Sequence, residues 1–237
     1  MIDKIRVLFT LVLLMIVSAA CGGTAVSPTP TPTTPPQPVP EEAPANAGTG
    51  SIRTFVLVSP DSQASYIVNE EFFAEALTKL GITAGKRVVV GSTSGITGEI
   101  QLDFDTPELV QAAQFTVDMS SLATDQNRRD EWLTENAIET GVFPQATFIA
   151  TSASGLPQTI NEGEEIHFQL IGDLTVRDVT NSVTFDVTAV LSNDTIKGTA
   201  TLPLQMTDFG ITPPDFVNTL TVANAFTIEI NLLARES

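Results

Sequence analysis

From Ile52 to the C-terminus, the sequence repeats short runs in which apolar and polar residues alternate. In one such run, Val183, Phe185 and Val187 alternate with threonine and aspartate. Because successive side chains of a β-strand point to opposite faces of the sheet, this spacing predicts strands with one apolar face and one solvated face. The runs with this pattern are 98–105, 114–120, 146–151, 166–170, 182–191, 196–206 and 225–233.

Two segments have the features of helices. Residues 66–80 contain acidic residues followed by Phe72, Phe73 and further apolar residues, and Gly81 follows as a stop signal, so this segment predicts a helix. Residues 127–136 predict a shorter helical turn. The whole pattern predicts an all-β fold, an extended antiparallel β-barrel of about eight strands with one or two short helices, because closure of a barrel removes exposed sheet edges.

Large apolar side chains on the alternating runs are candidates for the barrel interior. A barrel of about eight strands either fills itself with side chains or holds one small ligand. For any single residue, plain core packing is the alternative interpretation. Together, these side chains can line a tunnel that binds an apolar chain by removing its surface from water. The candidate cavity residues are Phe104, Phe115, Met119, Phe148, Phe168, Phe185, Met206 and Phe226.

The first 20 residues have the parts of a secretory signal peptide. Lys4 and Arg6 precede an apolar stretch, 7–17, and small residues then lead to Cys21. The apolar stretch is shorter than the roughly 20 residues that a membrane-spanning helix needs. A cysteine at this position resembles the bacterial lipobox, which predicts that Cys21 becomes the first residue of the mature chain and carries lipid. The alternative is an ordinary signal peptide with an incidental cysteine.

The segment after the cysteine predicts a disordered tether. It is rich in proline, threonine, alanine and glycine and contains no aromatic residue up to residue 51. Such a composition buries too little apolar surface to offset the entropy of ordering the chain. The predicted organisation is therefore a signal peptide at 1–20, a lipidated cysteine with a disordered linker at 21–51, and a barrel domain at 52–237.

The charge of the chain limits its partners. The formal net charge is -17, so a phosphate backbone, which proteins bind through Lys and Arg, is excluded as a partner. Anionic lipid head groups would also repel the chain, and attachment to a membrane therefore requires an apolar anchor. A single cysteine excludes an internal disulfide.

A cluster of charged residues in the predicted helical turn has two interpretations. Arg128, Arg129 and Asp130 could bind a phosphate head group, because arginine pairs bidentately with phosphate. The favoured interpretation is an arginine–aspartate pair that fixes the short helix. Further along the chain, Asp173, Arg177 and Asp178 are predicted to shape a turn between strands.

The only histidine, His167, gives little support for catalysis. It is predicted on the polar side of its strand. A single histidine does not make a metal site, because a metal needs several ligands, and a serine triad is improbable without a second base. No spacing among the carboxylates points to a glycosidase pair. The sequence therefore predicts no catalytic residues, no metal site and no cofactor, although a hydrolase remains the least favoured alternative.

Four segments together resemble the YceI-like domain. They are DMSSLATDQNRRD at 118–130, FPQATF at 143–148, GDLTVR at 172–177 and TDFGITPP at 207–214. Their order agrees with the signatures of that family, and the resemblance covers about residues 52–235. It implies a lipocalin-like antiparallel barrel with an elongated apolar cavity, in a family that binds polyisoprenoids, isoprenoid quinones or similar amphiphiles, usually outside the cytoplasm.

The chain also departs from that family. Asp178 stands where a glycine is common, and the segment 66–68 replaces a histidine-containing segment. These differences fall near the expected mouth of the cavity, so the identity of the ligand is not carried over from the resemblance.

These observations predict a non-enzymatic, membrane-anchored, extracytoplasmic protein that sequesters or carries an isoprenoid-type lipid in the barrel. The alternative is a ligand-free barrel that serves as a surface interaction or stress-response scaffold. The sequence leaves open whether the barrel forms a homodimer.

Overall fold

The computed structural model describes residues 52–105 and 110–237. The predicted signal peptide, lipidation at Cys21 and linker fall within residues 1–51, outside the described ranges, and stay predictions. No helix within the described ranges is long and apolar enough to cross a bilayer.

Antiparallel β-strands make up most of the described chain. The strands are β1 (Ile52–Leu57), β2 (Gln63–Phe72), β3 (Gly85–Thr93), β4 (Ile96–Asp103), β5 (Val110–Asp118), β6 (Gln145–Ser154), β7 (Glu165–Val176), β8 (Val179–Ser192), β9 (Thr195–Gln205), β10 (Asp215–Phe216) and β11 (Leu220–Glu236). The α-helices are α1 (Glu75–Leu80) and α2 (Asn127–Trp132). A π-helical turn, Leu133–Ala137, continues α2, and single 3₁₀ turns lie at Met119–Ser121 and Met206–Phe209.

Eight of these strands form a closed antiparallel barrel, in the order β1, β4, β5, β6, β7, β8, β9 and β11. The ring closes where β11 returns to β1, with Phe55 opposite Glu236 and Leu57 opposite Ala234. The hairpin of β2 and β3 extends the sheet, because β2 pairs with β11 from Leu220 to Asn231 and with β3 on its other edge. This arrangement confirms the predicted all-β, lipocalin-like barrel with few short helices.

Alternation of side chains places the core inside the barrel. On β8, Val183, Phe185 and Val187 are buried, whereas Thr184 and Asp186 between them are exposed. A glycine on a neighbouring strand gives room for an aromatic ring at two points. A Cβ on Gly172 would lie 2.6 Å from Cζ of Phe148, and one on Gly98 would lie 2.5 Å from Cδ1 of Phe115. Only glycine at these positions allows the rings to lie flat on the sheet.

The rings that cover these glycines form one aromatic group. Phe115 and Phe148 are stacked with centroids 6.4 Å apart, and Phe185 meets Phe148 edge-on at 5.1 Å. Such pairs add about 0.5–1.5 kcal/mol each beyond the burial of their area. They join β5, β6 and β8 across the interior.

The helix predicted over 66–80 is wrong in its first half. Residues 63–72 form β2, and the helix is limited to Glu75–Leu80. Glu70 lies on the inward face with Val68 and Phe72, and this buried carboxylate conceals the alternation in the sequence. The predicted stop is correct, since Gly81 has a φ of 74° and its N–H bonds the carbonyl of Leu77.

Candidate functional site

The barrel encloses an apolar cavity of about 250 Å³. Inward-facing side chains from every strand of the ring except β1 line it, among them Leu102, Ala113, Leu170, Ala200 and Ile230. Polar atoms contribute almost nothing to its wall. A wall of this kind binds hydrocarbon and disfavours polar groups, because a buried polar group without a partner loses its hydrogen bonds to water.

Most of the predicted cavity residues lie in this wall. The lining contains Phe115, Met119, Phe148, Phe168, Phe185, Met206 and Phe226. The alternation on their strands, or the position directly after a strand, points each of them inward. That they contact a ligand stays a prediction.

Phe104 is the exception, because the structure places it outside the cavity. The predicted run 98–105 continues beyond β4, which ends at Asp103, so the alternation no longer determines the direction of the next side chain. Phe104 lies in the following turn, exposed, with the guanidinium of Arg53 5.5 Å from its ring centroid. It therefore packs against a surface cation.

A second, larger groove of about 1100 Å³ lies where β2, α1, α2 and residues 214–222 meet. Its walls mix apolar side chains such as Phe72, Trp132 and Phe216 with charged ones such as Lys79 and Arg128. The sequence did not predict this groove, because its walls come from four separate segments, one of which, β2, was wrongly predicted as a helix. It offers both apolar contacts and hydrogen-bonding groups, unlike the barrel cavity.

Four side chains line both the barrel cavity and the groove: Tyr66, Leu133, Ala137 and Met206. They form the partition between the two compartments. The ring of Tyr66 lies across Gly91 of β3, where an added Cβ would be 2.2 Å from a ring carbon. Burial raises the pKa of the Tyr66 phenol, and its buried hydroxyl has no hydrogen-bond partner among the described residues. This part of the partition is therefore uncharged.

A buried ion pair fixes α2 to the barrel. Arg129 donates from Nε to Glu70 at 2.9 Å and from Nη2 to the other carboxylate oxygen at 3.0 Å. Its Nη1 reaches Asp125 at 2.5 Å and the hydroxyl of Thr124 at 3.0 Å. Burial acts to lower the pKa of Arg129, but the hydrogen bonds with Glu70 and Asp125 outweigh it, so the pKa is raised. Arg129 is thus already occupied by protein carboxylates.

The favoured interpretation of this cluster is correct in role but wrong in one partner. Arg129 pairs with Glu70 and Asp125, whereas Asp130 accepts hydrogen bonds from the backbone N–H and hydroxyl of Thr124. Asp130 follows Arg129 directly, so on a helix the two side chains do not face each other. Arg128 is exposed, lines the groove and has no ion-pair partner in the described part of the chain.

A second ion pair holds the end of the π-helical turn. Arg177 donates from Nη2 to Glu139 at 2.8 Å, and its guanidinium lies 5.6 Å from the ring centroid of Phe143. Both partners have left-handed backbone, with φ of 57° at Arg177 and 56° at Glu139. As predicted, Arg177 and Asp178 form the turn between β7 and β8, whereas Asp173 was wrongly included and lies within β7 opposite Ser182. The pair connects this turn to the segment that follows α2.

His167 lies on the outer face of β7. Its Nδ1 is 2.9 Å from the hydroxyl of Thr188, and its Nε2 is 3.3 Å from Glu165. Within the described ranges, no group of three or more His, Cys, Asp and Glu side chains is placed to hold a metal ion.

Comparison with known proteins agrees with this geometry. The model of the YceI-like domain matches residues 66–234. Three solved structures share the fold. BcnA of Burkholderia cenocepacia has a TM-score of 0.56 at 17% identity, over 75% of this chain and 98% of its own. A polyisoprenoid-binding domain from Saccharophagus degradans has a TM-score of 0.55 at 12% identity, over 79% and 99%. The Campylobacter jejuni YceI protein has a TM-score of 0.50 at 16% identity, over 62% and 84%. No curated protein matches the sequence.

Proposed function

The chain belongs to the YceI-like domain family, and on that basis we propose that it is a non-enzymatic, membrane-anchored, extracytoplasmic protein that holds an isoprenoid-type lipid in its barrel. The observation that carries this proposal is the apolar cavity of about 250 Å³ inside the closed barrel. An apolar chain gains roughly 25 cal/mol for each Å² of its surface removed from water. Polar atoms make up almost none of the wall surface, so the wall favours a hydrocarbon over a polar ligand.

The size of the cavity suggests how a long amphiphile would lie. Pockets for drug-sized ligands are commonly about 300–1,000 Å³, so the barrel cavity alone suits only part of a long chain. The neighbouring groove of about 1100 Å³ has room for the remainder and has polar side chains for a head group. We therefore place the tail in the barrel, the head group in the groove, and the chain between them at Tyr66, Leu133, Ala137 and Met206.

The proposed location depends on the N-terminal sequence. A basic start, a short apolar stretch and Cys21 after small residues support export followed by lipidation. Two or more acyl chains give stable anchoring, since each buried CH₂ contributes about 0.8 kcal/mol. The test is to express the full chain with and without Cys21→Ser. Wild-type protein should sediment with membranes and have the added mass of acyl chains, whereas the variant should do neither. Equal sedimentation and mass would refute lipidation.

Ligand binding can be tested by extracting the purified protein with organic solvent and measuring the extract by mass spectrometry. An isoprenoid-type lipid in near-stoichiometric amount supports the proposal. No lipid in the extract, together with no uptake of added polyprenol, would leave the ligand-free scaffold as the function.

Adjacent alanines on β5 provide a matched pair of variants. Ala113 is buried and lines the cavity, whereas Ala112 is exposed on the outer face. Ala113→Phe should fill part of the cavity and reduce the lipid recovered per protein, while Ala112→Phe should leave recovery unchanged. Thermal unfolding of both variants shows whether the barrel still folds. Equal lipid recovery from two folded variants would refute binding inside the barrel.

A further inference from the structure

We propose that the rim of the groove is the surface through which the protein docks on a lipid bilayer; this inference rests on the proposed function, because docking brings the groove to the source of its ligand. The groove rim consists of Phe73, Leu77, Phe216 and Val217. All four are large apolar side chains that are exposed to solvent, with Leu77 59% exposed and Val217 75% exposed.

Hydrogen bonds hold these side chains beside one another. The N–H of Phe73 donates to the carbonyl of Thr219 at 2.8 Å, and the N–H of Thr219 donates to the carbonyl of Phe216 at 2.7 Å. From α1, Lys79 donates to the hydroxyl of Thr219 at 3.1 Å. Residues 73–77 and the turn between β10 and β11 therefore lie side by side, which brings their exposed apolar side chains to one edge of the groove. Contiguous exposed apolar patches of this kind mark interaction surfaces more often than isolated apolar residues do.

The groove rim is continuous with the groove itself. Phe216 and Val217 also line the groove, and Trp132 on the groove wall meets Phe216 edge-on with ring centroids 5.9 Å apart. A lipid that leaves the groove at this edge would pass apolar side chains and not open water. An aromatic pair at the opening also suits the boundary between head groups and hydrocarbon, where tryptophan is enriched.

The groove rim lies at the opposite end of the barrel from the start of the described chain. Near Ile52, Arg53 donates to the carbonyl of Asn193 in the β8–β9 turn at 2.6 Å and to Glu236 at the end of β11. The groove rim flanks Leu220, where β11 begins. β11 has 17 residues, so at about 3.3 Å per residue its ends lie on the order of 50 Å apart.

The length of chain before Ile52 is sufficient for this orientation. Residues 22–51 can extend to about 100 Å at roughly 3.3–3.6 Å per residue, which exceeds the length of the barrel. A barrel attached through Cys21 can therefore turn its far end to the membrane. Attachment also raises the effective concentration of the groove rim at the bilayer, so that weak apolar contacts suffice for docking.

Charge does not determine this contact. Lys79 pairs with Glu75 at 2.6 Å, and Arg129 pairs with Glu70 and Asp125, so most cations around the groove are balanced by carboxylates. We therefore expect the apolar side chains to insert into a zwitterionic bilayer, with weak dependence on salt.

Trp132 is the only tryptophan of the chain and reports on this surface without a label. The test mixes the full-length chain with vesicles of phosphatidylcholine brominated on the acyl chains and measures tryptophan fluorescence. Bromine quenches only nearby tryptophan, so attachment through the distant N-terminus alone leaves Trp132 bright. We expect quenching that saturates with lipid and changes little between low and physiological salt.

The double variant Leu77→Glu/Val217→Glu should weaken binding to the vesicles by about tenfold or more, because two apolar contacts are replaced by charges. The matched control is Ile52→Glu/Val56→Glu, which changes side chains that are 52% and 43% exposed at the other end, and it should be quenched like wild type. Unquenched wild-type protein, or equal quenching of all three proteins, would overturn the proposal. Lipid recovered from each protein by solvent extraction is measured in parallel, so that a loss of docking with retained ligand is distinguished from failure of the lipid-binding function.

Discussion

Replacement of Arg129 by methionine should destabilise the barrel strongly. The side chains of Glu70 and Arg129 are only 6% and 13% exposed. Among the described residues, only Arg129 donates hydrogen bonds to the Glu70 carboxylate, one to each oxygen. Removing one partner of a buried pair leaves the other charge unpaired in a poorly solvated site, which costs about 3–5 kcal/mol. For a domain of this size, each kcal/mol lowers Tm by about 2–4 °C, so Arg129→Met should lower it by roughly 6–20 °C.

Two further variants separate loss of the ion pair from loss of any arginine. Arg128→Met changes the adjacent, exposed arginine and should alter the free energy of unfolding by less than about 0.5 kcal/mol. The double variant Glu70→Leu/Arg129→Met removes both buried charges and should recover much of the stability, while the exposed Asp125 loses little when its partner is removed. The assay is urea unfolding followed by circular dichroism. If Arg129→Met and Arg128→Met unfold at the same urea concentration, the buried pair does not stabilise the barrel.

Three other variants examine the packing and the acid sensitivity of the barrel. Gly172→Ala places a Cβ 2.6 Å from Cζ of Phe148 and should cost about 1–3 kcal/mol in urea unfolding, whereas Gly141→Ala, with no atom within 4 Å, should be nearly neutral. Phe148→Ala should cost about 3–5 kcal/mol by the same assay, with a larger cavity as the physical reason. Asp118 accepts hydrogen bonds from the hydroxyl and N–H of Ser120, which lower its pKa. The ionised carboxylate therefore stabilises the fold above the unfolded-state pKa, and this stabilisation is lost as pH falls through the folded-state pKa. Because this carboxylate is largely solvated, Asp118→Ala should cost less than about 1 kcal/mol at neutral pH and still less in acid, as measured by urea unfolding at pH 7 and pH 2.5. An equal cost at both pH values would contradict this.

The strands that the sequence predicts are those with one solvated face. The run 182–191 falls within β8 because threonine and aspartate separate its buried residues. The pattern does not predict β3, where Val88, Val89 and Val90 are consecutive and only Val89 is buried. It misassigns β2 because Glu70 faces inward. Alternation thus fails where a strand buries a charge, as in β2, or exposes valine, as in β3. The predicted runs also omit β1 of the ring, where Val56 is exposed between buried Phe55 and Leu57.

More of the cavity wall than of the groove could be predicted, because the wall comes from strands with regular alternation. Residues such as Phe115 and Phe185 lie inside regular strands, where position alone determines which face a side chain occupies. Phe104 lies just beyond a strand end, where that rule no longer holds. The groove depends on how α1, α2 and the turn at 214–222 dock, and no local pattern in the sequence encodes that docking.

The helical segment 127–137 links the ion pair to the partition between the two compartments. Arg129, Leu133 and Ala137 follow one another at intervals of four residues, so they lie close to one face of the helix. Glu70 on β2 binds Arg129 and so determines which face of the helical segment meets the barrel. Leu133 and Ala137 on that face therefore lie between the cavity and the groove. Loss of the pair would therefore disturb the partition before the ring of strands opens, since the hydrogen bonds that close the ring between β1 and β11 do not involve this helix.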